Sequence, residues 1–177
     1  EKEWRNENGS LDSLKAYTNG LQTGPETYWF SNGQMNSTVR YTKGKQSGKM
    51  TIWNAEGNQL ELRKYNNGQL DGKWLKWYPS SQLSAEEKYK EDLQQGTSTY
   101  WYENGNISRE EEYVDDKLHG TTTLWADFGE KTMEQEYLNG MLNGKSTEFY
   151  GKDRVFIVTD YVIDLKHGAR IQYAPSG

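Results

Sequence analysis

Every 24 residues the same side chains return. Tyrosine stands at Tyr17, Tyr41, Tyr65, Tyr89, Tyr113, Tyr137 and Tyr161. Glycine stands at Gly24, Gly48, Gly72, Gly96, Gly120, Gly144 and Gly168. Tryptophan stands at Trp29, Trp53, Trp77, Trp101 and Trp125, and Phe149 and Tyr173 continue that column. A period held without drift means one small supersecondary unit stacked on copies of itself, each covering a face its neighbour cannot bury alone.

Residues 96–119 show what one period encodes. Thr97, Thr99, Tyr100, Trp101 and Tyr102 favour a strand. Asn104-Gly105 follows, a hairpin signal that predicts a two-residue type I′ turn with both central residues at positive φ. Residues 107–113 then predict a second strand, and Asp115-Asp116 a second turn. That second turn is Asn-Gly or Lys-Gly in other periods, with Asp in place of Gly at Asp92, Asp116 and Asp164. Asp tolerates the left-handed conformation better than most residues, so the exchange is mild. Pro25, Pro79 and Pro175 sit at or near predicted strand ends. Only Ser84-Ala85-Glu86-Glu87-Lys88 has helical propensity, and the Tyr and Gly columns run through it in strand register.

Hairpins joined by short turns make an antiparallel meander. The expected fold is all-β: an elongated single-layer sheet of about fourteen strands, about 65 Å long at about 4.8 Å per strand. One repeat domain covers residues 1–177, with six full units between about residues 24 and 168 and a partial unit at each end. Alternation puts the Trp column on one face with Thr27, Thr51, Thr99, Thr123 and Thr147. It puts the Tyr column on the other with Met35, Leu83, Ile107 and Val155. Trp rings about 9.6 Å apart need a filler, for which Leu60, Ser84, Ser108 and Phe156 are the candidates.

Composition agrees with a thin sheet. Only 33% of residues are hydrophobic while 14% are aromatic, so large rings must supply much of the burial. Mean hydropathy is −1.08. With no cysteine there is no disulfide and no thiolate metal site. The longest apolar run, Val155-Phe156-Ile157-Val158, is a strand's length and far from a membrane helix. A start at Glu1 rather than methionine suggests an upstream segment that was removed. Charge is uneven: residues 1–88 hold 12 Lys/Arg against 10 Asp/Glu, and residues 89–177 hold 9 against 16. No concentrated basic stripe exists for nucleic acid or anionic lipid.

The unit resembles the MORN-type repeat, and in particular its bacterial variant. The resemblance rests on Gly96, the pair Trp101-Tyr102, Asn104-Gly105, Glu111-Glu112-Tyr113, and the steps Leu118-His119-Gly120 and Lys166-His167-Gly168. It covers six units. Two features depart from it. The turn between Trp4 and Gly9 is one residue longer than that between Trp29 and Gly33, and the unit from Gly144 has Phe149 for Trp and Gly151-Lys152-Asp153 in its turn. The resemblance implies an antiparallel sheet that binds partners, with antitoxin-like, immunity-like and surface proteins among its relatives and membrane attachment among eukaryotic cousins. It implies no catalytic residue. It favours a bacterial envelope or secreted location, with the cytoplasm as the alternative.

The residues offer little for catalysis. His119 and His167 lie 48 residues apart, about 19 Å along the sheet, and cannot share a metal. Each precedes a repeat glycine and reads as a turn residue. No serine has a histidine in register to activate it, and no phosphate loop, calcium loop or cofactor motif is present. Asn8-Gly9-Ser10, Asn36-Ser37-Thr38 and Asn106-Ile107-Ser108 fit the glycosylation sequon, though turn chemistry explains these asparagines.

Carboxylates form the most suggestive constellation. Glu86, Glu110 and Glu134 share one repeat position, and Glu87 and Glu111 the next. One position on, Arg40, Lys64, Lys88, Glu112, Glu136 and Asp160 run from basic to acidic. A solvated surface explains them, and so does a docking strip for a cationic protein. The expectation is a non-enzymatic binding module. Its partner-binding residues are Glu86, Glu110, Glu112, Glu134 and Glu136 with Trp77, Trp101 and Trp125; it uses no metal or cofactor, binds no nucleic acid and inserts in no membrane. Glycan stacking on the Trp rows and a structural spacer without a ligand are the alternatives.

A stacked repeat also predicts where stability resides. Trp77→Ala or Tyr89→Ala, in the middle, should cost about 3 kcal/mol, and the matching change in a terminal unit less, because that unit has one neighbour. Denaturant titration of both variants would reveal equal losses if this were wrong.

Overall fold

The computed structural model describes residues 1–5, 9 and 11–174. Among them there is no helix, and eighteen strands form one antiparallel sheet. The Asn8-Gly9-Ser10 sequon, the longer turn before Gly9 and Pro175 lie outside the described residues. By compactness the chain divides into two units, Glu1–Leu83 with Lys88–Asp92, and Ser84–Glu87 with Leu93–Gly177.

The first unit holds β1 (Lys2–Arg5), β2 (Leu11–Thr18), β3 (Leu21–Trp29), β4 (Met35–Thr42), β5 (Lys45–Trp53), β6 (Gln59–Asn66), β7 (Gln69–Leu70) and β8 (Gly72–Trp77). Strand β9 (Leu83–Lys90) contributes residues to both units. The second unit continues with β10 (Leu93–Gln94), β11 (Gly96–Trp101), β12 (Ile107–Val114), β13 (Lys117–Leu118), β14 (Gly120–Trp125), β15 (Lys131–Leu138), β16 (Met141–Phe149), β17 (Val155–Val162) and β18 (Leu165–Gln172). Within each unit, strands joined by a hairpin turn pair with each other, and the short pieces share a neighbour: β7 and β8 both pair with β6, and β13 and β14 both with β12. The meander follows from the short turns. Residues 69–77, 93–101 and 117–125 are each interrupted once, at Asp71, Gln95 and His119, and so contribute six of the eighteen strands rather than three. There the amides of Asp71 and His119 reach Lys64 O at 2.8 Å and Glu112 O at 2.9 Å, off the regular ladder.

The two turns of each period differ, and the type I′ geometry belongs to the second. Asn19-Gly20, Lys43-Gly44, Asn67-Gly68 and Asn139-Gly140 have both central residues at positive φ, as do Glu91-Asp92, Asp115-Asp116 and Ile163-Asp164. The first turn corrects the expectation. At Asn32-Gly33 and Asn104-Gly105 only the glycine is at positive φ. The loop holds three residues: Gly33 N donates to Phe30 O at 2.9 Å and Phe30 N to Gln34 O at 2.8 Å, the pattern of a hairpin that ends in a left-handed glycine. Asn104 Oδ1 instead caps its own loop, accepting from Asn106 N at 3.0 Å.

Hydrogen bonds join hairpin tips to neighbouring periods. At the second turn, Gly44 N donates to Gln22 O, Gly68 N to Gln46 O and Gly140 N to Leu118 O, at 2.7–2.8 Å. Where Asp replaces Gly the contact doubles. Asp92 N donates to Leu70 O at 2.9 Å, and Asp92 Oδ1 accepts from Leu70 N at 2.7 Å. Asp116 with Gln94 and Asp164 with Leu142 repeat this. At the first turn, Asn32 Nδ2 reaches Ala55 O and Asn104 Nδ2 reaches Asp127 O, in the following period.

Bulges set the faces. Register shifts fall at Tyr28/Trp29, Ile52/Trp53, Tyr100/Trp101, Leu124/Trp125 and Glu148/Phe149. They pair Met35 with Trp29, Ile107 with Trp101 and Val155 with Phe149, so these residues sit across from the Trp column rather than with the Tyr column. The proposed filler Phe156 packs on Tyr150, with ring centroids 4.2 Å apart. The Gly column occupies a second set of bulges, opposite the column of Arg40, Lys64, Glu112, Glu136 and Asp160. A Cβ on Gly144, at φ +124°, would lie 2.8 Å from Glu136 Cβ; Gly72 and Gly120 are covered likewise by Lys64 and Glu112.

Burial distinguishes the faces. Val39, Leu70, Ala85 and Ile157 are the buried apolar residues, joined by Ser13, Glu26, Glu87, Ser98, Glu111, Thr122, Ser146 and Thr159. By register all of these share the face of the Tyr column; of the buried residues only Thr27 and Thr123 lie on the Trp face. The interior is thus largely polar and hydrogen-bonded, which is how a chain so poor in aliphatic residues closes a core.

Gly144→Ala should destabilise by about 1–2 kcal/mol more than Gly48→Ala, because at Gly48 the added methyl meets no atom within 4 Å and both share a positive φ. Equal shifts in the urea midpoints of the two variants would contradict the role given to the bulge.

Candidate functional site

The Trp face of the second unit gathers the acidic residues. Glu110 pairs with Thr99 and Thr123, Glu112 with Thr97, Glu134 with Thr123 and Thr147, Glu136 with Thr121, and Glu86 with Thr99. Directly paired residues share a face, so these five carboxylates, Trp101 and Trp125 stand on one surface above a bed of threonines. Trp77 takes the same column on β8 of the first unit. Glu112 and Glu136 are exposed, whereas Glu86, Glu110, Glu134 and the three tryptophans are half-buried. Glu134 Oε2 lies 2.8 Å from Lys131 Nζ, Glu136 Oε2 accepts from Lys145 N at 3.0 Å, and Glu110 Oε1 accepts from Thr99 Oγ1 at 3.5 Å. Tyr102 ties two periods together by donating to Trp125 O at 2.7 Å.

The Trp face of the first unit carries the opposite sign. Arg40, Lys49, Lys64 and Lys88 are exposed on it. Lys49 and Lys64 are directly paired across β5 and β6, a like-charge arrangement that costs stability. Among the described residues neither makes an ion pair. With Lys73 they rim a shallow depression whose floor is Leu62, Gly72 and Leu75.

The Tyr face holds polar clusters that residue spacing did not single out. In the first unit Glu26 is 6% exposed. It lies 2.6 Å from Lys15 Nζ and accepts from Tyr28 Oη at 2.7 Å and Gln22 Nε2 at 3.0 Å. Burial pushes its carboxyl up, but these donors together with Tyr41 outweigh it and hold the group below the usual range. Lys15, hydrogen-bonded by Glu26 and Tyr28, is held above the ordinary lysine value. Further along, Trp74 Nε1 donates to Glu61 Oε2 at 3.1 Å, with Arg63 and Lys76 within about 4 Å of its ring.

In the second unit Glu87 and Glu111 are 5% and 7% exposed, on the Tyr face. They are therefore no part of the acidic surface, and grouping them with Glu86 and Glu110 is corrected by strand alternation. Glu111 lies 3.3 Å from Arg109 Nε and accepts from Tyr113 Oη at 2.9 Å. Burial, then the charges of Glu87 and Glu111, raises the Tyr100 hydroxyl; burial and the Glu111 hydrogen bond raise Tyr113. Such groups are matched to one another and hold the sheet together. His119 is half-buried with Nδ1 unpaired, and His167 is exposed. No group of three or more metal-ligating side chains occurs among the described residues.

Residues 70–91 and 94–115 match the MORN repeat variant. Those two stretches are similar to MORN-type repeats, and the periods of β3–β4 and β14–β15 share the bulge beside their Trp. No curated protein matches the chain.

The Glu26 cluster fixes a pH window. Its folded pKa lies below the unfolded value of about 4.3, so its contribution is complete above that pH and fades as pH falls through the folded value. Lys15, Tyr100 and Tyr113 are raised, so theirs is complete below about pH 10 and fades as pH rises through the folded values. Urea midpoints should be flat between about pH 5 and 10, and Glu26→Gln should lower the plateau and flatten the acid limb. An acid limb unchanged in Glu26→Gln would assign it elsewhere.

Proposed function

We propose that this protein is a non-catalytic docking module that binds a cationic protein on the Trp face of its second unit. One observation carries this reading. Glu86, Glu110, Glu112, Glu134 and Glu136 share that face with Trp101 and Trp125, while Glu87 and Glu111 are turned away and satisfied inside. Carboxylates on such a surface hasten encounter with a basic partner and reject acidic ones. The flanking indoles supply the apolar area that anchors protein interfaces, and Trp77 holds the same repeat position in the first unit.

Among the described residues of this face, no group is poised for acid–base or nucleophilic work, which supports binding rather than turnover. The likeness of the unit to the bacterial repeat variant supports placing the module in an antitoxin- or immunity-like role, where the acidic face would cover a basic functional surface on its target. Sugar stacking on the same indoles is the competing use, and its affinity would be insensitive to salt.

Affinity capture from the source cells tests this, comparing the native chain with the Glu110→Lys, Glu112→Lys, Glu136→Lys triple variant. The native chain should retain a basic protein that the variant loses. Retention should weaken between about 0.1 M and 1 M salt, as the screening length falls from about 10 Å to 3 Å. Equal capture by both chains would discard the acidic face.

A further inference from the structure

The first unit presents a problem that its own side chains do not solve. Lys49 and Lys64 face each other directly across two strands. Lys64 is held in place by the glycine bulge, with its stem 3.0–3.6 Å from the position a Cβ on Gly72 would take. Arg40 and Lys88 continue the same column at one-period intervals. Arg40, Lys49 and Lys64 make no ion pair among the described residues, and the Trp-face pairs around them, Pro25 with Arg40, Thr27 with Thr38, Thr38 with Thr51, Thr51 with Leu62 and Leu62 with Leu75, hold no carboxylate. The corresponding pairs in the second unit are unlike: Thr97 with Glu112, Thr121 with Glu136 and Lys145 with Asp160. A repeat that can avoid the repulsion, and does so elsewhere, keeps it where Leu62 and Leu75 floor a depression. That combination suits an anionic protein surface rather than free solvent.

We propose that this groove receives the acidic Trp face of a second copy of the chain. The inference rests on the reading of that acidic face as a docking strip and supplies a partner for it. Charge complementarity selects the occupant. Arg40, Lys64 and Lys88 occupy one repeat column in the first unit; Glu112, Glu136 and Asp160 occupy the same column in the second. Both rows therefore have the same spacing, about 9.6 Å per period at ordinary strand separation, and each projects from the Trp face of its own unit. Laid face to face with strands aligned, three cations of one copy meet three carboxylates of the other without a change of register. The second unit's threonines, Thr97, Thr121 and Thr123, are small enough for two sheets to approach, and the long lysine stems bridge what gap remains. Carboxylates placed between Lys49 and Lys64 relieve their mutual repulsion. A foreign acidic protein would need this spacing by coincidence; a second copy has it by construction.

Sedimentation of the full chain tests the proposal. The native protein should self-associate reversibly at about 0.1 M salt, and about tenfold more weakly or worse at about 1 M. Arg40→Glu with Lys64→Glu should abolish association, as should Glu112→Lys with Glu136→Lys. Mixing the two double variants should restore a complex at least about tenfold tighter than either forms alone, because each then offers what the other lacks. That rescue also shows that both variants are folded. A native chain that stays monomeric at low salt, or variants that fail to rescue each other, overturns the proposal. So does a monomeric native chain whose groove binds a poly-glutamate peptide through Lys49 and Lys64, which would assign it to a foreign acidic segment. The Arg40, Lys64 variant keeps the acidic face intact and should still capture the cationic partner. Lost self-association with intact capture, or the reverse, therefore separates the two readings.

Discussion

From Gly44 onward each second-turn tip is hydrogen-bonded to the hairpin one period earlier, and the strictness of the repeat follows from that contact. The donor is the second residue of a two-residue turn, and the acceptor is a carbonyl 22 residues before it, as with Asp92 N and Leu70 O at 2.9 Å. One inserted residue anywhere between them would move the donor off its acceptor and reverse the faces of every strand beyond. Both central turn residues must be at positive φ, which restricts the position to Gly, Asn, Asp and few others. Asp at Asp92, Asp116 and Asp164 gains a second bond through its carboxylate, which offsets the loss of glycine's conformational freedom.

With spacing fixed by the turns, the two faces are free to serve different ends. The Tyr face is enclosed and largely polar. Its Tyr column is constant, but the residues beside it are solved locally: Val39 and Ile157 in some periods, Lys15 with Glu26 or Arg109 with Glu111 in others. Ionic pairs in such places require partners of matched length and donors for every oxygen. The Trp face is half-exposed, so its charge can drift without loss of fold. It is there that the sign changes from Arg40, Lys49 and Lys64 to Glu110, Glu112 and Glu136. A surface that varies in charge over a constant spacing is well suited to recognition.

Much of the site was legible from strand parity. Glu86, Glu110 and Glu134 recur at 24 residues, as do Glu112 and Glu136, and Glu110 with Glu112 and Glu134 with Glu136 fall two residues apart on strands in phase with the Trp column, so one face had to hold them. The buried clusters were not legible. Glu87 and Glu111 look like their neighbours in a row of acids, and only knowledge of which face closes separates them. Glu26 gives no sign in sequence of its four donors, since Lys15, Gln22, Tyr28 and Tyr41 come from three different strands.

The amino-acid sequence by itself determined the period, the strands and the second turn, because these depend on backbone preferences and on spacing, which are local. Tertiary structure decided the rest. It turned the first Asn-Gly into a three-residue loop, since Asn104 spends its side chain on Asn106 N and on Asp127 O of the next period. It placed the bulges that carry Met35 and Ile107 across to the Trp column. It also chose the Tyr face as the interior, a choice that alternation cannot make when both faces carry rings and only neighbouring strands can supply partners for buried charge.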